Sequence, residues 1–505
     1  MGFFIEAEAI SFIAKTLFTT QLAAMRTKLL SLLPLLCAFI LLAAFKSSNS
    51  YSTPKIKLSI DTFPFVQTIK TFKGQTVVSS SGPLTFSSGL HNDYYYTDSQ
   101  NRVGYLYVEA RLGDFKNINA KRLPLNIAIV IDRSGSMAGA KMKYAKEAAK
   151  TIIDKLTPED FVSVVMYDHE VTVIQPSVHP LLKDSIKKKI DAIEERGSTN
   201  LWGGSEKGYE QVKKSFTPDY VNRVLLISDG LATSGLTNAR IIQNKVRQNK
   251  DEEGITLSTF GVGLDYNEVL MTDMAESGAG NYYFINDLDK MASIFEKEIN
   301  GLAAIATKDA TLTIEVPTSI QLNKVYAHKA DIKDNRISIK FRDLFANEIK
   351  GVLIQFQIGN AISGPVTFTS TLSFKDVKES GVVKQLENRN VFQATQVSEE
   401  VLNHYNRAVL EQTVLLQSNE ALEKAMLEAD KGLFEGARQS LLKNQAYLKM
   451  HEPLVQASKE LLKMDSANRA YYTQLLKAEQ LGGDTLKLMQ KTNRAGSYKI
   501  RTRKQ

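Results

Sequence analysis

The sequence predicts a doubly wound α/β domain, inserted in or flanked by a β-sandwich-like region and followed by a C-terminal helical hairpin region. Three patterns lead there. Asn126–Ile131 (NIAIVI), Phe161–Tyr167 (FVSVVMY) and Arg223–Ser228 (RVLLIS) are short, nearly continuous apolar runs, as strands buried on both faces of a parallel sheet require. Segments with helical spacing separate them, and such alternation builds an open α/β sheet. On either side of this block, apolar residues alternate singly with polar ones among Gly, Ser and Asn, the mark of half-buried strands.

In chain order, residues 50–121 hold short alternating runs (Ile56, Leu58, Ile60; Val103, Tyr105, Tyr107). The α/β domain spans 122–303. Its first strand leads into a helix with Met142, Ala145, Ala149, Ile152 and Leu156 on one face. Then come strand Phe161–Tyr167, helices Leu182–Glu195 and Trp202–Phe216, strand Arg223–Ser228 and helix Asn238–Asn249. Strand Thr256–Val262, a helix around Glu268–Ala275, strand Tyr282–Ile285 and helix Leu288–Leu302 complete the domain. Residues 304–397 return to alternation, from Ala310–Val316 to Val366–Phe374, and these strands are expected to join those of 50–121. Ser398 with Glu399 and Glu400 opens a helical region, 398–482, with a cap and an acidic first turn. Gly432 and Pro453 divide it into segments near 398–431, 434–449 and 453–480. Residues 483–505 form a basic tail, with seven Lys/Arg and no acidic residue between Thr485 and Gln505, expected to be solvated.

Composition narrows the function. A chain of 505 residues with 43% hydrophobic and 23% charged residues exceeds one core and is neither disordered, collagen-like nor a polytopic membrane protein. The net charge of +8 is a modest excess, and no nucleic-acid partner is expected. A single cysteine, Cys37, and six scattered histidines exclude an internal disulfide, a CxxC site and an HExxH site. Leu29–Phe45 is the one long apolar run, preceded by Arg26 and Lys28 and followed by Lys46 and Ser/Asn residues. That is the layout of an export signal or of an uncleaved anchor touching a membrane. Residues 1–49 therefore read as an N-terminal extension plus signal or anchor, with Met25 an alternative start. In either case the body is expected outside the cytoplasm: periplasmic, on the cell surface or membrane-anchored.

Residues 132–136 (DRSGS) leave the first buried strand as a D-x-S-x-S loop, where ligands bind in open α/β sheets. Thr199 precedes a helix, and Asp229 ends strand Arg223–Ser228. Asp132 and Asp229 offer carboxylates; Ser134, Ser136 and Thr199 offer neutral hydroxyls. An all-oxygen set selects a hard cation, Mg²⁺ with Mn²⁺ as the alternative. Two negative charges against +2 leave the ion electrophilic, with room for an outside oxygen from a protein ligand's Asp or Glu carboxylate.

With its neighbours this loop resembles the von Willebrand factor type A domain. Asn126–Met137 (NIAIVIDRSGSM), Gly197–Gly203 (GSTNLWG), Leu225–Gly230 (LLISDG), Thr259–Gly263 (TFGVG) and Ala279–Ile285 (AGNYYFI) are similar to that family's signature segments, in order. The resemblance implies a Rossmann-like fold and a metal-ion-dependent adhesion site formed by Asp132, Ser134, Ser136, Thr199 and Asp229. It also implies Mg²⁺-dependent protein contact, in some members coupled to a shift of the last helix. The flanking strands, including Asp343–Gly351 (DLFANEIKG), more loosely resemble exported bacterial A-domain proteins and inter-alpha-trypsin inhibitor heavy chains.

Other conspicuous residues have plainer readings. Trp202 is expected to pack, Tyr94–Tyr96 to form a strand facing the sandwich core, and Asp168, His169 and Glu170 to be a polar loop. No nucleophile or general base accompanies the oxygens, so the protein is not expected to be an enzyme. The function expected is a Mg²⁺-dependent, adhesion-type binding module of an exported cell-envelope protein. The alternative is an envelope assembly or scaffold protein that binds through its C-terminal helices and keeps a structural A domain.

Overall fold

The computed structural model describes residues 69 and 71–503, apart from 100–101, 114–121, 303–304, 360, 378–380 and 481. The apolar run at 29–45, the signal or anchor read from it and the alternating run at 56–60 lie outside these residues. Before the α/β domain come strands β1 (Val77–Ser81), β2 (Leu84–Leu90), β3 (Tyr94–Tyr96) and β4 (Val103–Leu112).

The α/β domain carries β5 (Leu125–Asp132), β6 (Phe161–Tyr167), β7 (Val171–Val178), β8 (Val221–Ser228), β9 (Thr256–Val262) and β10 (Ala279–Ile285), in the order β10-β9-β8-β5-β6-β7. β5 runs parallel to both β6 and β8. Every residue of β5, β8 and β9 is buried, which explains why β5 and the end of β8 read as nearly continuous apolar runs rather than alternations, while β9 carries buried Thr256, Ser258 and Thr259. Burial of each Ile of β5 is worth about 1.5–3 kcal/mol. The expected all-parallel sheet needs one correction, because β7 is an antiparallel edge strand on β6. Its Pro176 and half-exposed alternation belong to an edge, where a missing N–H costs no ladder bond. The helices are Ala140–Lys155, Lys183–Asp191, Leu201–Lys214, Ala239–Glu253, Glu268–Ser277 and Met291–Leu302. Lys183–Asp191 is shorter at both ends than the helix expected at 182–195.

After the domain come β11 (Ile305–Glu315), β12 (Ile320–Tyr326), β13 (Asp331–Lys333), β14 (Arg336–Phe345), β15 (Ile349–Ile358), β16 (Val366–Asp376) and β17 (Val382–Thr395). They form two sheets with the early strands: β1-β2-β4-β15-β12 and β13-β14-β11-β16-β17-β3. Phe86, Leu106, Val108, Leu312, Ile354, Phe356, Phe368 and Leu372 lie in the core between them. β4 and β15 pair antiparallel, with Val108 opposite Val352. Chain segments on either side of the α/β domain are thus hydrogen-bonded neighbours, and the domain is an insertion. Tyr95 is buried, and its hydroxyl donates to the Gly364 carbonyl at 2.6 Å.

The helical region holds Ser398–Asn403, Arg407–Asp430, Phe434–Met450, Glu452–Ala457, Lys459–Leu475 and Gly483–Thr502. The segment expected at 398–431 breaks before Asn406, whose side chain caps the next helix by accepting from the Val409 amide. The stretch expected at 453–480 breaks at Ser458, which caps Lys459–Leu475. Buried Asn444 donates to Asn468 Oδ1 at 3.0 Å, a polar pairing that fixes how these helices register.

The basic segment is a correction. It is not a solvated tail but helix Gly483–Thr502, docked on the α/β domain and the other helices. Lys491 Nζ donates to the Tyr266 carbonyl at 2.9 Å and lies 3.7 Å from the Tyr266 ring centroid. Arg494 pairs with Glu268 at 3.5 Å, Arg501 with Glu423 at 3.0 Å, and Arg503 with Glu109 at 2.6 Å. The Tyr498 hydroxyl accepts from the Tyr282 amide at 3.2 Å. These positive charges meet carboxylates supplied by distant parts of the chain, which a local charge count does not reveal.

Candidate metal centre

The chain passes from β5 to β6 and β7 on one side before crossing to β8 on the other, so the loops after β5 and β8 diverge at a topological switch point. Such a crevice is where open α/β sheets bind ligands. Asp132 closes β5, Asp229 follows β8, and both are fully buried.

The Asp132 carboxylate accepts from the Ser134 amide at 2.8 Å and from the Ser228 hydroxyl at 2.7 Å. Ser134 Oγ and Ser136 Oγ are 3.2 Å apart, and Ser136 Oγ donates to Asp229 Oδ1 at 2.8 Å. Thr199 is also buried, and its carbonyl accepts from the Thr233 and Ser234 amides. Gly230 shows how closely the third loop approaches: a Cβ there would lie 2.9 Å from Thr199 Oγ1 and 3.6 Å from Asp132 Oδ2. The structure therefore brings together Asp132, Ser134, Ser136, Thr199 and Asp229. Ser136 is exposed and opens the cluster to solvent.

Burial pushes Asp132 up to about 6, against the hydrogen bonds from Ser228 and Ser134, and nearby Asp229 adds to the rise. A carboxylate held this way lacks a full positive partner. Lys141, from the helix that follows the loop, contributes one charge: its Nζ lies 2.5 Å from Asp229 Oδ2 and 3.2 Å from the Ser136 carbonyl. Two buried carboxylates with three hydroxyls and no soft ligand fit a hard divalent cation.

The loops are held by residues that sequence reasoning passed over. Asp168, expected in a polar loop, forms ion pairs with Arg133 and Arg196 at 3.0 Å each. Burial raises Asp168, but the Glu170 amide, Arg196 and Arg133 outweigh it and hold it below the usual carboxylate range. The Asn200 amide donates to the Asp168 carbonyl, and the Arg196 amide to the Arg133 carbonyl. This clamp ties the Thr199 loop to residues 132–136. Gly197 has φ +72°, and a Cβ there would lie 2.4 Å from His169 Nδ1, so glycine is required on both counts. Asp168, His169 and Glu170 bring ligand atoms within 4.8 Å of one another, yet the two arginines already satisfy their carboxylates. Ser228 carried no signal beyond its place before Asp229. Trp202 is buried against Tyr209 and packs as expected.

Residues 126–297 match the family model of the von Willebrand factor type A domain. This part of the chain is a von Willebrand factor type A domain. The chain is 32% identical over 203 residues to YfbK of Escherichia coli (strain K12), a match covering 40% of this chain and 35% of YfbK. It is 34% identical over 170 residues to inter-alpha-trypsin inhibitor heavy chain H2 of Mesocricetus auratus, covering 32% of this chain and 18% of that protein. The chain thus spans about a third or less of these relatives, and the likeness centres on the A domain. A solved structure described as von Willebrand factor type A from Catenulispora acidiphila superposes with TM-score 0.61 at 16% identity, covering 78% of this chain and 91% of that one. That likeness is one of fold, and it reaches beyond the A domain.

Proposed function

We propose that the chain is an exported, Mg²⁺-dependent protein-binding module of adhesion type, in which an Asp or Glu carboxylate of a partner completes the metal shell. The observation that carries this reading is the meeting of Asp132, Ser134, Ser136, Thr199 and Asp229 at the switch point, with Ser136 open to solvent. Ser134, Ser136 and Thr199 would offer direct hydroxyl oxygens, and the two aspartates would balance the charge. A bound Mg²⁺ would supply an electrophilic centre for an outside carboxylate. The clamp of Asp168, Arg133 and Arg196 ties together the loops that carry the donors, which lowers the ordering cost of binding. The reading is non-enzymatic: Ser228 and Lys141 engage the two aspartates as structural partners. The apolar run at 29–45 supports placing the body outside the cytoplasm, either released or anchored.

Titration calorimetry of Mg²⁺ and Mn²⁺ into the wild-type protein and Asp132→Ala tests the site. Saturable binding in the wild type that is lost in a folded variant is expected; equal binding in both would overturn the ligand assignment. Partner capture with and without EDTA tests the function. Capture that survives EDTA would favour binding through the C-terminal helices, with a structural A domain.

A further inference from the structure

A second cleft lies away from the metal centre, where the A domain, the sandwich and the C-terminal helix meet. Its cavity volume is about 80 Å³, room for a small ion rather than for a larger organic ligand. Helix Ala239–Glu253 lines it with Arg247, Lys250 and Asp251. β14 and β15 add Lys340 and Lys350, and the turn after β12 adds Lys329. Five cationic side chains thus face three carboxylates: Asp251, Glu276 and Asp331.

The pairing leaves a positive excess. Lys250 and Lys340 share one Asp251 oxygen at 3.2 and 3.7 Å. Glu276 is held by Arg501 of the C-terminal helix. Lys350 pairs with Glu348 at 2.6 Å. Lys329 donates to the Gln243 amide oxygen at 3.2 Å, with Asp273 within electrostatic reach. Arg247 reaches the Asn244 amide oxygen at 3.5 Å. Burial, with Lys340 and Arg342 nearby, holds Lys250 below the usual lysine range despite Asp251. Cations of this kind are stabilised by an incoming anion.

Two further observations point to a ligand. Ser277 lines the cleft and is 4% exposed, and its hydroxyl has no hydrogen-bond partner, an unfavourable state for a buried donor that nothing satisfies. Ala279 and Ala327, also in the lining, hold left-handed backbone at φ 53° and 73°, a conformation that strains a residue with a Cβ. Strain of this sort collects at binding sites.

We propose that this cleft binds a small phosphate- or sulfate-type oxyanion, held by Lys250, Lys340 and Lys329 with the Ser277 hydroxyl as a further donor. The site is independent of the metal centre. The test is titration calorimetry of inorganic phosphate, and separately sulfate, into the full chain in EDTA at constant ionic strength set with NaCl. Saturable binding is expected, weakened at least tenfold in Lys250→Met/Lys340→Met. Exposed Lys329→Gln, which leaves the buried groups intact, should weaken it about threefold and keeps the test valid if the double variant misfolds. Asp132→Ala should bind phosphate as the wild type does. Absence of saturable binding, or equal affinity in Lys329→Gln and the wild type, would overturn the proposal; so would loss of binding in Asp132→Ala, which would place the anion at the metal centre instead.

Discussion

The A domain buries carboxylates near both ends of β8, and the two sites are built on opposite principles. At one end of β8, Asp132 and Asp229 meet hydroxyls, an amide and the single charge of Lys141. Near the other end, Arg223 and Glu298 form an ion pair at 2.9 Å with both side chains essentially without solvent exposure. Glu298 also accepts from Ser258 at 2.5 Å, Asn281 at 2.6 Å and Tyr283 at 2.8 Å. Arg223 donates to Thr256 at 2.8 Å and lies 5.3 Å from the Phe345 ring of β14. Burial alone would raise Glu298, but Arg223 and the three donors outweigh it and hold its carboxyl below the usual range. Asp132, just as buried, is pushed up to about 6. The difference lies in the supply of donors. A carboxylate given a cationic donor beside neutral ones is a structural lock, and one given only neutral donors is left to be completed by a cation. The lock joins β8, β9 and β10 to the last helix of the domain, Met291–Leu302.

The largest effect should come from breaking the lock. Glu298→Ala strands Arg223 and is expected to destabilise the protein by about 3–5 kcal/mol, while Arg223→Met/Glu298→Met should recover most of that loss. Chemical denaturation of the three proteins measures this; a single variant within about 1 kcal/mol of wild type would break the contrast.

At the other end the sign should reverse. Asp132→Asn removes a charge that burial disfavours and should stabilise the metal-free protein by up to about 3 kcal/mol at pH 7, while abolishing Mg²⁺ binding. The pH dependence follows from the raised folded value. Between the ordinary carboxylate value of 3.8 and about 6, the folded state holds a proton that the unfolded state has released. Metal-free stability therefore falls as pH rises through this window and is flat above it. The advantage of Asp132→Asn should grow from pH 4 to 6 and then level off. Denaturation curves in EDTA across pH 4–8 would contradict this if the two proteins ran parallel.

The smallest effect sharpens the comparison. Lys141→Met removes a partly exposed cation beside Asp229, so Mg²⁺ affinity should rise up to about fivefold, ~1 kcal/mol. Weaker affinity measured by calorimetry would show instead that Lys141 acts mainly by holding the Ser136 carbonyl.

Much of the A domain was legible because its signals are local. A strand buried on both faces must be apolar throughout, and the chemistry of a loop at its end is written next to it, so β5 with Asp132, Ser134 and Ser136 could be read together. The partial readings were edges and breaks. β7 was missed because its alternation is irregular and Pro176 weakens the strand pattern. The division before Asn406 depends on His404 and Tyr405 bridging to Phe72 and Asn92, partners that lie outside any local window.

The sequence by itself determined the strand–helix alternation and the types of the five oxygen donors, because each is written in short local segments; it left the α/β domain inserted in or flanked by the β segments, and the β4–β15 pairing decided for insertion. Only the tertiary structure decided which charges meet. Arg223 reads as one polar residue in an apolar run until Glu298 arrives from a helix beyond two further strands. The basic residues of 483–503 read as a solvated tail until Glu109, Glu268 and Glu423 come into reach. A charge is stabilised or penalised by what surrounds it in space, and folding chooses those neighbours from distant parts of the chain.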